Sequence, residues 1–403
     1  MKKRFLSAGL AVVMAASLTA CGGSGSASTT AAAAGESKAE GESSAAADGA
    51  VFKIGGIGPV TGGAAVYGLA VQHGAEIAVK EINDAGGING VPIEFQFQDD
   101  EHDAEKSVNA YNTLKDWGMQ VLMGTVTSAP CIAVADKTAA DNMFQITPSG
   151  SAVECAENPN VFRVCYSDPA QGTASAKYIG EHKLASKVAV IYDSSDVYSS
   201  GIYEKFAQEA PNQGIEVVDA EAFTADSNKD FSTQLQKAKE SGAELVFLPI
   251  YYTEASLILQ QANTMGFAPQ FFGCDGMDGL LQVQNFDVKL AEGLMLLTPF
   301  AADATDDLTV NFVKSFEDAY GETPIQFAAD AYDAIYIIKA AMEEANVTPD
   351  MSVSDICDAM EGAMTQIKVD GLTGTNMSWT EDGEPEKDPK AVQVVDGAYK
   401  AME

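Results

Sequence analysis

Residues 52–62 have the sequence FKIGGIGPVTG, and this short stretch contains the pattern that decides the fold. Its apolar first half, Phe52 to Ile57, predicts a buried β-strand, and the glycines and proline after it predict a tight turn. A strand and a tight turn followed by a helix indicate an α/β fold. The next apolar residues recur at helical spacing and so share one face of a predicted helix: Val71, Ala75, Ala78 and Ile82.

The same alternation of short apolar runs and helical periods continues to about residue 273. Because strands that alternate with helices form parallel sheets covered on both faces, the predicted fold class is α/β. Two successive series predict two Rossmann-like lobes joined by a hinge, with a ligand cleft between the carboxyl edges of their parallel sheets. The later predicted strands are Ile93 to Phe97, Gln120 to Met123, Met143 to Ile146, Val188 to Tyr192, Ile215 to Val218, Glu244 to Leu248 and Gln270 to Gly273.

The length of the chain also favours two lobes, because the folded part exceeds one core of typical size. The helices predicted at Thr309 to Tyr320 and Gln326 to Glu344 have no regular strand between them, so we expect them to return to the first lobe. The predicted division is a signal peptide at 1–20, a tether at 21–50, lobe 1 at 51–167 plus 299–375, and lobe 2 at 168–298 plus 376–403.

The first residues of the chain have the composition of a secretory leader. Basic residues precede a mostly apolar stretch, Phe5 to Leu18, that is too short to span a bilayer stably. Leu18-Thr19-Ala20-Cys21 resembles the lipobox of bacterial lipoproteins, which implies lipidation of Cys21; a plain signal peptide is the alternative. Residues 22–49 carry no aromatic or large aliphatic side chain. We therefore expect a flexible tether that holds an extracytoplasmic domain at the cell membrane.

Composition argues against several classes of function. The formal net charge of −34 gives a surface that repels nucleic acid. Neither the six cysteines nor the three histidines have metal-ligand spacing, so we expect no metal and no cofactor. Outside the cytoplasm a disulfide is permitted, and Cys155 and Cys165 flank a turn across which they could pair. A free, buried thiol is the alternative for each of them.

The glycine-rich turn does not match a nucleotide-binding motif. In residues 56–62, Thr61 replaces the third glycine of G-x-G-x-x-G and Pro59 intrudes. No G-x-S-x-G elbow occurs, and no phosphate-binding GK[ST] follows. We therefore expect a binding protein and no enzymatic activity. An extracytoplasmic Rossmann-like enzyme is the less favoured alternative.

Polar loops follow several of the predicted strands. In the first lobe, residues 124–130 and 147–151 are rich in serine and threonine, which suits an anion bound at a helix start, although N-capping explains the same residues. Loops of the second lobe add tyrosines and one carboxylate, Asp275. Aromatic rings form an apolar wall with a polar tip, and a carboxylate pairs an ammonium group. These second-lobe loops are residues 193–198, 249–252 and 273–276.

A series of short motifs occurs in one order along the chain: IGPVTG at 57–62, INDAGGING at 82–90, Thr147-Pro148, KDFS at 229–232 and GCDG at 273–276. In this order they resemble the substrate-binding proteins of the branched-chain (Leu/Ile/Val) amino acid type that serve ABC transporters. The resemblance covers about 52–399. It implies the periplasmic-binding type I fold, an amino acid as ligand and an ABC permease as partner.

The resemblance also implies roles for individual residues. The family holds the α-carboxylate of its ligand with hydroxyls and the α-ammonium with a carboxylate, beside aromatic rings. Asp275 stands where the family usually has a glutamate, and His102 and Thr127 occupy the places of a family disulfide that is missing here. The implied ligand contacts are the hydroxyls of Ser128, Ser149 and Ser151, the aromatic rings of Tyr67, Tyr198 and Tyr251, and the carboxylate of Asp275.

Taken together, these patterns predict a lipid-anchored monomer that captures a small apolar amino acid by closure of two lobes and delivers it to an ABC permease. Several alternatives stay open at this point. The same fold could bind an amide, a urea or an aromatic acid. It could also present its ligand to a membrane sensor.

Overall fold

The structure, a computed structural model, describes residues 49–387 and 389–402. The predicted signal peptide, most of the tether and Cys21 lie outside the described residues. Within that part, no helix is both long enough and apolar enough to cross a membrane. The predicted fold class is confirmed: the chain forms an α/β structure with two large sheets made mainly of parallel strands.

The first sheet and its helices form lobe 1. Its five parallel strands have the order β2-β1-β3-β4-β5. Strand β1 is buried at every position except Lys53, as expected for a parallel strand that helices cover on both faces. The elements, in chain order, are β1 (Phe52–Gly58), α1 (Ala65–Asp84), β2 (Ile93–Asp99), α2 (Ala104–Trp117), β3 (Val121–Gly124), α3 (Ser128–Asp141), β4 (Gln145–Thr147) and β5 (Val161–Arg163).

The second sheet and its helices form lobe 2. The sequence pattern predicts a helix from Gly201 to Pro211. Helix α5 begins four residues earlier, at Val197, because the Asp196 carboxylate accepts the N–H of Tyr198 and caps the helix. The elements are α4 (Asp168–Glu181), β6 (Lys187–Asp193), α5 (Val197–Glu209), β7 (Glu216–Phe223), α6 (Ser232–Glu240), β8 (Leu245–Leu248), α7 (Tyr252–Thr264), β9 (Gln270–Gly273) and β10 (Met295–Thr298).

The last part of the chain contributes to both sides of the molecule. Its elements are α8 (Asp307–Tyr320), α9 (Gln326–Glu344), α10 (Val353–Met364), β11 (Ser378–Trp379), β12 (Pro385–Glu386), β13 (Lys390–Val395) and β14 (Ala398–Ala401). Strands β13 and β14 form an antiparallel hairpin that completes the second sheet, in the order β14-β13-β10-β9-β8-β6-β7. Helix α9 packs along α1 of lobe 1. Gly74 permits this close packing, because a Cβ there would lie 2.1 Å from the carbonyl oxygen of Ala328.

Several elements were not among the predicted ones, and each has a physical reason. Strand β5 has only three residues and includes a charged one, Arg163, so it lacks an apolar run. Strand β14 alternates between exposed and half-buried residues at the edge of the sheet. Helix α10 packs against α9 near the end of the folded chain. None of these differences changes the loops that follow β3, β4, β6, β8 and β9.

Candidate ligand-binding site

A small, narrow cavity lies where the strand-end loops of the two lobes meet. The structure brings together all seven residues that the sequence analysis predicted as ligand contacts. They are Tyr67, Ser128, Ser149, Ser151, Tyr198, Tyr251 and Asp275, and the remaining lining residues are Val126, Thr127, Gly276 and Phe327.

Lobe 1 presents hydroxyl groups to this cavity. The Ser128 Oγ accepts the N–H groups of Ser151 (3.3 Å) and Ala152 (3.1 Å), which ties the start of α3 to the loop after β4. The Ser149 hydroxyl donates to the carbonyl oxygen of Val126 at 2.6 Å. The buried Ser151 hydroxyl lies near the Asp168 carboxyl group but outside ordinary hydrogen-bond geometry. Because a hydroxyl rotates freely, Ser151 can donate to a ligand.

The amino end of α3 also favours the binding of an anion. Thr127 occupies the N-cap position, but no described side chain caps the helix. The Thr127 hydroxyl instead lies 2.8 Å from Nδ1 of His102. Uncapped N–H groups and the positive end of the helix dipole favour a carboxylate at this position.

Arg163 orders the loop of lobe 1 that contains Ser149 and Ser151. Its guanidinium group is fully buried and donates to four successive carbonyl oxygens, those of residues 150–153, at 2.6–3.3 Å. The Glu384 carboxylate lies 3.2 Å from its Nε. Because these carbonyl groups point to Arg163, the backbone around Ser151 is fixed before any ligand arrives.

Lobe 2 contributes a buried carboxylate, Asp275. Its oxygens accept the Tyr198 hydroxyl at 2.8 Å and the side-chain amide of Gln171 at 2.9 Å. The Tyr198 hydroxyl in turn accepts the N–H of Gly276 at 2.9 Å. Burial raises the pKa of Asp275 to about 6. At neutral pH the site therefore contains a largely ionised carboxylate in a nearly dry environment, which favours a cationic ligand group.

A second buried carboxyl group, Asp168, lies beside the site. Asp168 is the first residue of α4, and its N–H donates to the carbonyl oxygen of Ser151 at 2.8 Å. Burial raises the pKa of Asp168 well above its usual range, and the charge of Asp275 raises it further. These effects favour the neutral form of Asp168, so the negative charge of the site is that of Asp275.

Aromatic rings form the wall between the two charged ends. The rings of Tyr198 and Tyr251 stack at 4.9 Å in lobe 2, and those of Tyr67 and Phe327 stack at 4.2 Å in lobe 1. Tyr67 and Tyr251 meet edge to face at 5.6 Å. Such rings enclose an apolar group and keep water out.

Direct hydrogen bonds join the two lobes around the cavity. The Tyr67 hydroxyl donates to the carbonyl oxygen of Gly276 and accepts the N–H of Tyr252 at 3.2 Å. The Tyr252 hydroxyl accepts the N–H of Val66 at 3.3 Å. The first turn of α1 therefore lies against the start of α7, and this arrangement closes the cavity.

The glycine-rich turn does not leave space for a nucleotide. A Cβ at Gly58 would lie 2.4 Å from a methyl carbon of Val126, so the glycine serves packing. Two hydrogen-bond donors of the turn already have a carboxylate partner. The Asp99 carboxylate accepts the Val60 N–H at 3.0 Å and the Thr61 hydroxyl at 2.6 Å. A carboxylate at this position would repel a phosphate group.

The cysteines differ from the predicted pairing. Cys155 and Cys165 are both free and buried. The neighbour of the Cys155 thiol is Cys131, which lies in the first turn of α3. Of the two possibilities that the sequence leaves open for Cys155 and Cys165, the structure has the free, buried thiols, and the short 3₁₀ helix Val153–Ala156 places Cys155 beside α3.

Sequence comparison identifies the family. The sequence profile of the family described as "Periplasmic binding protein" matches residues 51–398. This chain belongs to that family. The Leu/Ile/Val-binding protein homolog 3 of Brucella melitensis is 31% identical over 74% of this chain and 80% of its own length. The leucine-, isoleucine-, valine-, threonine- and alanine-binding protein of Pseudomonas aeruginosa is 30% identical over 73% and 78%.

Solved structures of periplasmic binding proteins agree with this result. The branched-chain amino acid transporter substrate-binding protein LivJ of Streptococcus pneumoniae, in complex with isoleucine, has a TM-score of 0.78 at 26% identity and covers 87% of this chain and 99% of its own. A solute-binding protein of Rhodopseudomonas palustris in complex with benzoate has a TM-score of 0.76 at 20% identity and covers 87% and 95%. The chain is thus similar to extracytoplasmic binding proteins, and family membership supports an extracytoplasmic location.

Four residues around the site were not predicted. Phe327 lies on α9, far along the chain from every polar loop, and only the packing of α9 on α1 brings it to the cavity. Gln171 and Asp168 lie at the start of α4, where the sequence pattern indicates an ordinary helix. Arg163 lies on a strand too short to predict. Its charge in an apolar setting, between Phe162 and Val164, was the one available signal.

Proposed function

We propose that this protein captures a small apolar α-amino acid, with leucine, isoleucine and valine as the first candidates, by closure of its two lobes. The observation that carries the proposal is the cavity itself. It has the Asp275 carboxylate on one side and the uncapped α3 start with the buried Ser151 hydroxyl on the other. Opposite charges at two ends of an aromatic-walled space complement a zwitterion with an apolar side chain.

Each ligand group has a candidate partner. The α-carboxylate binds the start of α3 and the hydroxyls of Ser128, Ser149 and Ser151. The α-ammonium binds Asp275, which Tyr198 and Gln171 already hold in place. Closure strengthens these contacts because it removes water from them. The relatives support this assignment, since the Brucella protein is named a Leu/Ile/Val-binding protein homolog and the Pseudomonas protein a leucine-, isoleucine-, valine-, threonine- and alanine-binding protein.

The same proposal covers delivery and anchoring. Cys21 carries the lipid anchor, residues 22–49 form the tether, and the closed form is recognised by an ABC permease. Lobe 1 comprises 51–167 plus 299–375, and lobe 2 comprises 168–298 plus 376–403. The membership of β13 and β14 in the second sheet and the packing of α9 on α1 support this division.

An aromatic acid is the second candidate ligand. The Rhodopseudomonas palustris proteins in complex with benzoate and with 3,4-dihydroxybenzoic acid have this fold. Their ligands have a carboxylate but no ammonium group. The buried Asp275 carboxylate therefore distinguishes the two candidates, because it has no favourable partner on a benzoate.

The test is a thermal-shift screen of the purified protein against the twenty amino acids, benzoate, acetamide and urea. The best ligand is then titrated by calorimetry into the wild type and Asp275→Asn. Removing one partner of a buried, hydrogen-bonded charge pair costs about 2–5 kcal/mol, so affinity should fall at least about thirtyfold. Asp333→Asn is the matched control, because Asp333 is equally buried but accepts N–H groups of Leu372 and Thr373 in lobe 1.

Asp333→Asn should lower stability and leave affinity unchanged. Stabilisation by an amino acid that is lost in Asp275→Asn alone supports the proposal. Stabilisation by benzoate that survives in Asp275→Asn would favour the aromatic acid instead. An amino acid that binds both proteins equally would mean that Asp275 does not hold the ammonium group.

A further inference from the structure

Two neighbouring buried cysteines lie beside the serine- and threonine-rich loops of lobe 1, residues 124–130 and 147–151. Cys131 is in the first turn of α3, and Cys155 is in the 3₁₀ helix Val153–Ala156. Both side chains are fully buried in one small apolar cluster with Ala152. The two cysteines are therefore close neighbours in the interior of lobe 1.

The surroundings of this pair connect it to the binding site. The Cys155 sulfur lies 3.6 Å from the carbonyl oxygen of Ser128, and the side-chain amide of Gln145 lies 3.6 Å from the Cys131 sulfur. A Cβ at Gly150 would lie 2.8 Å from the Cys131 sulfur, so the pair fills the space beneath the loop that contains Ser151. The Cys131–Cys155 contact therefore joins the same two segments as the Ser128 hydroxyl does.

Other described cysteines have different neighbours. The Cys274 sulfur lies 3.5 Å from the Ser175 hydroxyl, and the Cys357 sulfur lies 3.4 Å from a carboxylate oxygen of Glu361. Among the described residues, Cys131 and Cys155 are the two cysteines that share one buried cluster. Two neighbouring buried thiols need little backbone movement to form a disulfide, which has strict geometric requirements.

We propose that Cys131 and Cys155 form a reversible disulfide that links the start of α3 to the loop after β4. The oxidant is a small-molecule or protein disulfide of the extracytoplasmic space. The Cys131 thiolate attacks one sulfur of that disulfide and releases one thiol. The Cys155 thiolate then attacks the Cys131 sulfur and releases the second thiol. Two protein thiols lose two protons and two electrons, and the oxidant is reduced to two thiols.

Cys131 suits the first step better than Cys155. The hydrogen bond with Cys155 is the largest influence on the Cys131 thiol and lowers its pKa, whereas burial raises the pKa of Cys155. The thiolate is the attacking species, so the thiol with the lower pKa reacts first. Both thiols are buried, and the reaction therefore requires a transient opening of the loop or takes place while the chain folds.

The test detects the disulfide directly and needs no ligand. A negative result would therefore contradict this proposal without affecting the proposed function. The full chain is incubated with oxidised glutathione, both in the native state and during refolding from denaturant. Free thiols are then blocked with an alkylating agent, and peptides are mapped by mass spectrometry. We expect one linked pair, Cys131 with Cys155, in the refolded sample, and a melting temperature a few degrees higher than in the sample treated with dithiothreitol.

Variants give the matched controls. Cys165→Ala should keep the link and the melting-temperature difference. Cys131→Ala and Cys155→Ala should each lose both, with the other thiol recovered in free or glutathione-bound form. A refolded wild type with no Cys131–Cys155 link, or with Cys155 linked to Cys165, would overturn the proposal. So would a link that forms without any change in melting temperature on reduction, because the bond would then not join two structured segments.

Discussion

Replacement of Tyr67 by phenylalanine should weaken ligand binding with little effect on the stability of the ligand-free protein. The Tyr67 hydroxyl belongs to lobe 1, and both of its hydrogen bonds reach lobe 2, at Gly276 and Tyr252. These bonds form only when the lobes meet. A typical hydrogen bond contributes about 0.5–1.5 kcal/mol net, so the loss of two should cost about 1–3 kcal/mol of closure. Since closure is coupled to binding, the dissociation constant should rise about 5- to 150-fold.

The assay combines calorimetric titration with small-angle X-ray scattering at saturating ligand. Tyr111→Phe is the matched control, because its buried hydroxyl donates to the Asp141 carboxylate at 2.8 Å within lobe 1. The control should lower the melting temperature and leave affinity intact, whereas Tyr67→Phe should show the reverse. If Tyr67→Phe binds as tightly as the wild type, the interlobe bonds do not stabilise the closed form. If it destabilises the ligand-free protein as much as Tyr111→Phe does, the lobes are already closed without ligand.

Three further predictions follow from the structure. The ligand-free protein should melt at a higher temperature near pH 5 than near pH 8. Burial raises the pKa values of four carboxyl groups to about 6 or 7, so the folded state binds more protons than the unfolded state in this range; these are Asp100, Asp196, Asp275 and Asp278. A higher melting temperature at pH 8 in scanning calorimetry would contradict this. Arg163→Met should lower the free energy of unfolding by more than about 2 kcal/mol, because four carbonyl oxygens lose a charged donor and those of Gly150 and Val153 lose the donor given above. A denaturant titration that shows a smaller loss would refute the role given to Arg163. Cys21→Ser should move the protein from the membrane fraction to the soluble fraction, and a variant that stays with membranes would rule out lipidation at Cys21.

The sequence alone predicted the fold class and brought the main site residues together because both depend on local order. A loop that follows a buried parallel strand ends up at one edge of the sheet, so Ser128, Ser149 and Asp275 could be placed without tertiary information. The motif order added their roles as expectations. The start of α5 was predicted four residues late, since a capping aspartate is easily taken for part of a polar loop.

Residues that act through distant contacts could not be predicted in this way. Phe327 reaches the cavity only because α9 packs on α1. Gln171 reaches Asp275 across about a hundred residues of chain, and nothing in its helix distinguishes it from a surface glutamine. Cys155 has Cys165 nearer in sequence but shares its buried cluster with Cys131, a proximity that sequence distance does not reveal.

The support that each half of the site has within its own lobe affects the kinetics of binding. Arg163 orders the hydroxyl loop from lobe 1, and Gln171 with Tyr198 orders the carboxylate of Asp275 from lobe 2. Contacts from across the proposed lobe boundary add to this support, since Glu384 pairs with Arg163 and the Asp168 N–H binds the Ser151 carbonyl oxygen. Conformational entropy of these loops is therefore lost when the chain folds and not when it binds. Association should then be limited by diffusion and by hinge motion of two stiff bodies, with a small activation enthalpy and no slow phase from loop ordering.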